Sequence, residues 1–281
     1  MIEQFFKIAK PDGWDFYTGK TINYRDNIGK IVRRKETGEI RLCSSTAIHA
    51  SRNPNQCFIG GSIPCSLYQV EGKPSIEDKS KCGFKQLRII KEMNPEKVFE
   101  WRYKEACNPV NPLKIKPPEI TNKHIELLKQ WVLVRNSVWD SVWDSVGHSV
   151  GHSGKDSAKD SLWDSVGNLV GNSVWDSVGN SVGDLVKHSV GDSTWDSIWD
   201  SVRNSIWDSV GYSVWDLVWA YIGHMFFPVV KKWKYIDYKP REYPFQPAVD
   251  LWKMGLIPSF DGDICRLHGG EKAEILWEGK L

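Results

Sequence analysis

Between residues 137 and 224 the hydrophobic and polar positions follow a period of four: twenty-two consecutive tetrapeptides run from Ser-Val-Trp-Asp to Tyr-Ile-Gly-His. Position one is Ser in eighteen units and position two is Val in fifteen. Position three is Trp nine times, Gly nine times, Lys three times and Arg once, and position four is Asp twelve times, otherwise Asn, His, Tyr or Ala. A site that accepts both Trp and Gly does not fit a close-packed core, where single methylenes are felt. Ser and Val therefore form the expected inner pair, and positions three and four the outer one. Trp/Gly/Arg and Asp/Asn/His/Tyr each interconvert by single-base codon changes, as drift after duplication of a short DNA unit produces.

Three conformations compete for this period. In an α-helix each unit turns the Val stripe by about 40°, so no single apolar face persists along the repeat. Ser, Val, Asp and Asn are mediocre helix formers, and each Gly costs about 1 kcal/mol. A flat strand places Val with Asp on one face and Ser with Trp or Gly on the other. A β-solenoid fits better than a helix or disorder: each unit forms one short side of a coil, Val points inward, and Gly, Asp or Asn turn the corners. Leu169, Leu185 and Leu217 recur at multiples of sixteen, which stacks them if four units close a coil; three units per coil stays open.

The flanks carry other rhythms. Strand-like runs at Thr21–Arg25, Lys30–Arg34, Ile40–Cys43, Ser66–Val70 and Phe84–Ile90 alternate with turn signals and predict a small β-rich head. Asn94 before Pro95 reads as a helix cap with Pro at the first turn, and Pro109, Pro112, Pro117 and Pro118 as a stiff linker. Ile125, Leu128, Trp131, Val132 and Arg135 share one face of a predicted helix over Thr121–Arg135, placed to cover the open edge of the first coil. Beyond the repeat, a helix over Gln246–Met254 stopped by Gly255 and a hairpin of Asp263–His268 with Ala273–Glu278 across Gly269-Gly270 predict a cap, with Trp233, Trp252 and Trp277 in its core. The predicted architecture is mainly β: an α+β head (1–120), a capping helix (121–136), a tetrapeptide solenoid (137–224) and an α+β cap (225–281). A long helical repeat is the alternative.

Charge sharpens this division. The net +2 hides 24 basic against 15 acidic residues in 1–136, 4 against 12 in the repeat, and 9 against 8 in the tail. A basic head on an acidic rod suits attraction between them or two separate partners. Six cysteines without a CxxC pair or metal-ligand spacing, after an N-terminus without a signal-peptide pattern, predict reduced thiols in a cytoplasm. The apolar stretch Leu217–Val230 is fourteen residues long, too short to span a bilayer. No cofactor and no membrane contact are expected. His148, His152, His188 and His224 all occupy position four, where codon drift explains them more cheaply than a metal site.

Two sets of residues invite a functional reading. The first is the outer columns of the rod: Asp140, Asp144, Asp176, Asp196, Asp200, Asp208 and Asp216 as stacked carboxylates, and Trp175, Trp195, Trp199, Trp207 and Trp215 as an aromatic strip for protein or carbohydrate contact. The second is His49, the catalytic candidate, beside Ser44, Ser45 and Thr46. The favoured reading of His49 is a partly buried imidazole satisfied by a backbone carbonyl at a strand end. Asp12-Gly13-Trp14 and Tyr17-Thr18-Gly19-Lys20 read as turns, the latter without P-loop spacing.

Ile48-His49-Ala50 followed by Asn53-Pro54 resembles a segment of an uncharacterised phage-type family, with Ala47-Ile48 here in place of Gly-Phe. In that family a small β-rich head with a Gly-Phe-His-Ala-like segment precedes a low-complexity repeat. The resemblance implies a head-plus-rod architecture and a phage or mobile-element home, and no known activity. The repeat is loosely similar to pentapeptide solenoids, one residue shorter per side; that likeness implies DNA mimicry, with a DNA-binding protein rather than nucleic acid as partner. The sequence reading is thus a phage-type interaction or scaffold protein presenting an acidic rod, and its alternative an ADP-ribosyltransferase-like head that the rod positions.

Overall fold

The computed structural model describes residues 3–58, 60–147, 213–233, 239 and 241–281, with short pieces at 174–175, 177–178, 190–191 and 194–196; for 138–147, 213 and 215 the description is of the backbone alone. The chain divides into two units, the first Met1–Cys107 with Val182–Ser193 and the second Asn108–Ser181 with Thr194–Leu281.

The first unit is two small sheets sharing one core. Strands β1 (Gln4–Ala9), β2 (Ile31–Arg33), β4 (Ser66–Glu71) and β7 (Gln86–Met93) form an antiparallel sheet in the order β1-β4-β7-β2, and β3 (Ile48–Ala50), β5 (Ile76–Glu77) and β6 (Cys82–Phe84) form another in the order β3-β6-β5. A single bridge joins them: the Phe6 N–H donates to the Ser51 carbonyl at 2.7 Å and the Ser51 N–H to the Phe6 carbonyl at 2.9 Å. Phe5, Tyr68, Val70 and Ile89 from the larger sheet and Ile48, Cys82 and Phe84 from the smaller are all buried in one cluster. Phe5 and Phe84 meet edge to face at 5.0 Å, and burying such rings contributes roughly 1.5–3 kcal/mol each. After β7 the chain enters helix α1 (Pro95–Phe99), capped by the Asn94 side chain on the Glu96 N–H with Pro at its first turn, as the sequence predicts. Helix α2 (Tyr103–Cys107) then anchors on Cys65, whose N–H donates to the Tyr103 hydroxyl at 2.7 Å while that hydroxyl donates back to the Cys65 carbonyl at 2.8 Å.

Two predicted strands are absent because side chains take over their backbone groups. Thr21–Arg25 is loop, its Thr21 and Ile22 N–H groups bound by the Asp15 carboxylate. Ile40–Cys43 is also loop: the Arg41 N–H goes to Thr46 Oγ1 and the Cys43 N–H to His49, with Cys43 left-handed at φ 58°.

In the second unit helix α3 (Asn122–Gly147) begins where predicted and buries Leu128, Trp131, Val132 and Arg135 along one stripe, with Leu133 68% exposed on the far side. It does not stop at Arg135; it runs through the first units of the repeat. Helix α4 (Ser213–Phe226) is built from the last three. Its Val214, Leu217, Val218, Ala220, Tyr221, Ile222, Met225 and Phe226 are all buried, the pattern of a helix surrounded by protein. Helix α5 (Gln246–Lys253) ends at Gly255, whose φ of +78° only glycine adopts freely. Strands β8 (Leu256–Phe260), β9 (Cys265–Gly269) and β10 (Glu274–Gly279) form an antiparallel sheet in the order β10-β9-β8. The predicted hairpin is present, with Gly269 paired to Glu274 and the turn made by Gly270 to Ala273. Trp233 and Trp252 are buried and Trp277 half-buried.

The predicted solenoid is therefore wrong, and with it the mainly β fold class, the long helical repeat and the rod. The three sheets are separate, small and uncurled, and the described residues of 137–147 and 213–224 are helical. The drift of the Val stripe is real but harmless over three units. Val214, Val218 and Ile222 span about 80° of helix surface, within an ordinary apolar face, and Leu217, Ala220 and Tyr221 widen it. Most of the remaining repeat lies outside the described residues.

Candidate functional site

A cleft of about 340 Å³ opens in the first unit. Its wall is made by β1 and β3 next to the bridge that joins them, through Lys7, Ile8, Ile48 and His49, and its rim by the loops carrying Asp15 to Thr21 and Arg34 to Ser45. Four basic side chains, Lys7, Arg34, Lys35 and Lys81, and two acidic ones, Asp15 and Glu36, line it. The sequence reading missed all six, because residues far apart in the chain supply them.

The two carboxylates are engaged. Asp15 accepts the N–H groups of Thr18 at 2.7 Å, Thr21 at 3.0 Å and Ile22 at 3.3 Å, and the Thr18 hydroxyl at 3.0 Å. Burial alone would raise its carboxyl, but these donors outweigh burial and hold it below the ordinary aspartate value. The Tyr17 to Lys20 turn is folded round this carboxylate. Glu36 accepts the Ser45 hydroxyl at 2.5 Å.

The cations are less committed. Lys7 sits mid-strand opposite Tyr68, with its Nζ 5.6 Å from the centre of the Tyr24 ring and no hydrogen bond or ion pair among the described residues. Burial pushes its ammonium below the ordinary lysine value, against the pull of Cys57 and Asp15. Arg34 donates through Nη1 to the Gly38 and Thr46 carbonyls. Lys81, with its side chain 11% exposed, has Nζ 2.5 Å from Cys43 Sγ and 3.9 Å from Asp78 Oδ2.

His49 is half-buried on β3, and its Nε2 accepts the Cys43 N–H at 3.0 Å. The favoured sequence reading placed a carbonyl there; the actual partner is a donor, so the ring proton belongs on Nδ1. Burial first, then the positive charges of Lys7 and Lys81, push the imidazole down to about 4. It is neutral at pH 7. Neighbouring Cys57 is pushed up to about 12, mainly by burial, and its thiol donates to the Phe6 carbonyl at 3.1 Å.

The outer-column residues of the repeat do not share one setting. Asp216 is 1% exposed, and its Oδ2 accepts from Arg135 Nε at 3.2 Å. His224, another position-four residue, is buried between Gln246 and Lys253. Trp175 and Trp195 are half-buried against Trp219, one edge-on at 5.1 Å and one stacked at 4.8 Å, and Asp196 is exposed. For Asp140, Asp144 and Trp215 only the backbone is described, in α3 and α4, while Asp176, Asp200, Asp208, Trp199 and Trp207 lie outside the described residues. Among the described residues no three His, Cys, Asp or Glu groups converge as a metal site, and no helix is long and apolar enough to cross a membrane.

The chain matches no family model, no curated protein and no solved structure. The resemblance to a phage-type family thus finds no support, and with the rod absent the scaffold and DNA-mimic readings, and the transferase head such a rod would position, are set aside.

Proposed function

We propose that the Met1–Cys107 unit binds a small anionic molecule in its cleft. The observation that supports this is the unequal engagement of charge in the lining: both carboxylates are occupied by hydroxyl or backbone donors, whereas Lys7, Arg34 and Lys35 form no ion pair among the described residues. Two surplus positive charges in a concave, partly desolvated site favour an anion more than the same charges on open surface. Neutral His49 contributes one further donor, the N–H on Nδ1. The six cysteines are unpaired thiols, which supports a reducing compartment such as the cytoplasm for the chain. Among the residues expected to meet a protein partner, Asp196 is the one described side chain that is exposed.

The test is thermal unfolding of the full chain with inorganic phosphate, pyrophosphate or citrate, against sodium chloride of equal ionic strength. An anion held at about 100 times its dissociation constant stabilises by about 2.7 kcal/mol. A rise in midpoint beyond the chloride control, lost in Arg34→Ala/Lys35→Ala, is expected. Equal behaviour of all the salts, or no effect of the double substitution, would refute the reading.

A further inference from the structure

Lys7 differs from the other cleft cations. Its stem is fixed in the middle of β1, in register with buried Tyr68, and its terminal nitrogen lies beside the face of Tyr24 rather than in an ion pair. Lys81 is held by Cys43 and Asp78, and Arg34 by two carbonyls. From this placement, and resting on the anion-binding reading above, we infer that Lys7 is a reactive amine that condenses with the carbonyl group of an anionic aldehyde or 2-oxo acid bound in the cleft.

The division of labour follows from the lining. Arg34 keeps Nε and Nη2 beyond the two carbonyl contacts of its Nη1 and with Lys35 suits the carboxylate or phosphate of the ligand. Lys7 then meets the carbonyl carbon. Its lone pair adds to that carbon to give a carbinolamine; the two amine hydrogens leave with the former carbonyl oxygen as water, and a C=N bond remains. Atoms balance as amine plus carbonyl giving imine plus water, with no oxidant or reductant. Lysine serves as a nucleophile of this kind where desolvation or a neighbouring cation enlarges its free-amine fraction. The direction in which burial moves Lys7 agrees with that requirement, and the imine nitrogen, on taking up a proton from solvent, would be an iminium cation retained beside the Tyr24 ring.

Glyoxylate and pyruvate are the probes. The full chain is incubated at neutral pH with each one and sodium cyanoborohydride, which reduces an imine to a stable secondary amine and spares the free carbonyl, and the modified lysines are located by peptide mass spectrometry. Lys239, whose side chain is 83% exposed, is the internal reference. Lys7 should be modified faster than Lys239, and saturating pyrophosphate should slow Lys7 alone. Lys7→Arg should abolish the cleft adduct while leaving the slow modification of Lys239 unchanged. Equal or slower modification of Lys7 in the wild-type chain would overturn the inference. If anions still raise the midpoint in that case, the binding reading survives its loss; if they do not, both fall.

Discussion

Removing one member of the buried Arg135–Asp216 pair is the sharpest test of how the second unit is held. The two side chains are 7% and 2% exposed and tie α3 to α4. Asp216→Ala leaves the Arg135 guanidinium without that carboxylate in a dry setting, and one-sided removal of a buried pair costs about 3–5 kcal/mol. For a unit of this size that lowers the unfolding midpoint by roughly 6–20 °C. Arg135→Met with Asp216→Leu should recover most of the loss, because apolar replacement of a whole buried pair is often neutral or stabilising. Burial raises the Asp216 carboxyl to about 6, with Arg135 opposing. The folded group therefore holds its proton more tightly than the unfolded one, whose ordinary value is 3.8. Its contribution to stability is fully present below the unfolded value and is lost as pH rises through about 6. Asp216→Asn should abolish that slope. Thermal unfolding at several pH values, followed by tryptophan fluorescence, reports mainly on this unit, since thirteen of the fifteen tryptophans lie from Trp131 onward. A fall of less than about 2 °C in Asp216→Ala, below what 1 kcal/mol produces in a unit of this size, or an unchanged pH slope in Asp216→Asn, would refute the reasoning.

Iodoacetamide labelling of the folded chain should reach exposed Cys43 first, while Cys57 and Cys65, both pushed up to about 12, and Cys265, pushed up to about 11, stay silent until denaturation; early labelling of Cys57 would contradict the cleft geometry. Proton NMR of the His49 ring should show no titration between about pH 6 and 8, as befits an imidazole pushed down to about 4. Gly223→Ala should destabilise by about 1–3 kcal/mol through overpacking, because a Cβ there would stand 2.5 Å from Tyr243 Oη and 2.9 Å from Val174 Cγ1. A gain in stability from helix propensity would show that this glycine is drift after all. Leu128→Ala, at a fully buried site, should cost about 2–5 kcal/mol, and Leu133→Ala, 68% exposed, less than about 0.5 kcal/mol, by the same fluorescence assay.

The legible parts of the sequence were those whose cause is local. The Asn94-Pro95 cap, the Leu128/Trp131/Val132 stripe, the stop at Gly255 and the β9–β10 hairpin each depend on residues within a few positions of one another, and each is present. Thr21–Arg25 misled because its alternation is that of a strand while its amide groups are claimed by Asp15, six residues upstream of Thr21. The repeat misled more seriously. Tolerance of Trp and Gly at position three was read as exposure, yet at Trp219 and Gly223 the residue fits its neighbours: an indole stacked on Trp195 and a glycine flush with Tyr243. These two described units meet different surroundings, so the column average describes neither of them. Of the cleft, His49 was the residue the sequence reading singled out. Lys7, Asp15, Arg34 and Lys81 carry no shared spacing, and only the meeting of β1 with β3 and the loops around them brings them together.

Tetrapeptides of this kind look interchangeable, and tandem DNA of this kind gains and loses copies by slippage. Helix α4 does not permit that freedom. One unit inserted after Asp216 would advance the rest of the helix by about 6 Å and turn it by about 40° relative to the part before it, taking Tyr221 from Val110. Nine units make ten full helical turns, so rotational phase returns only after about 36 residues, by which point the helix has lengthened by about 54 Å. Copy number within α4 is consequently fixed by the side chains it must deliver, however freely the DNA beneath it slips.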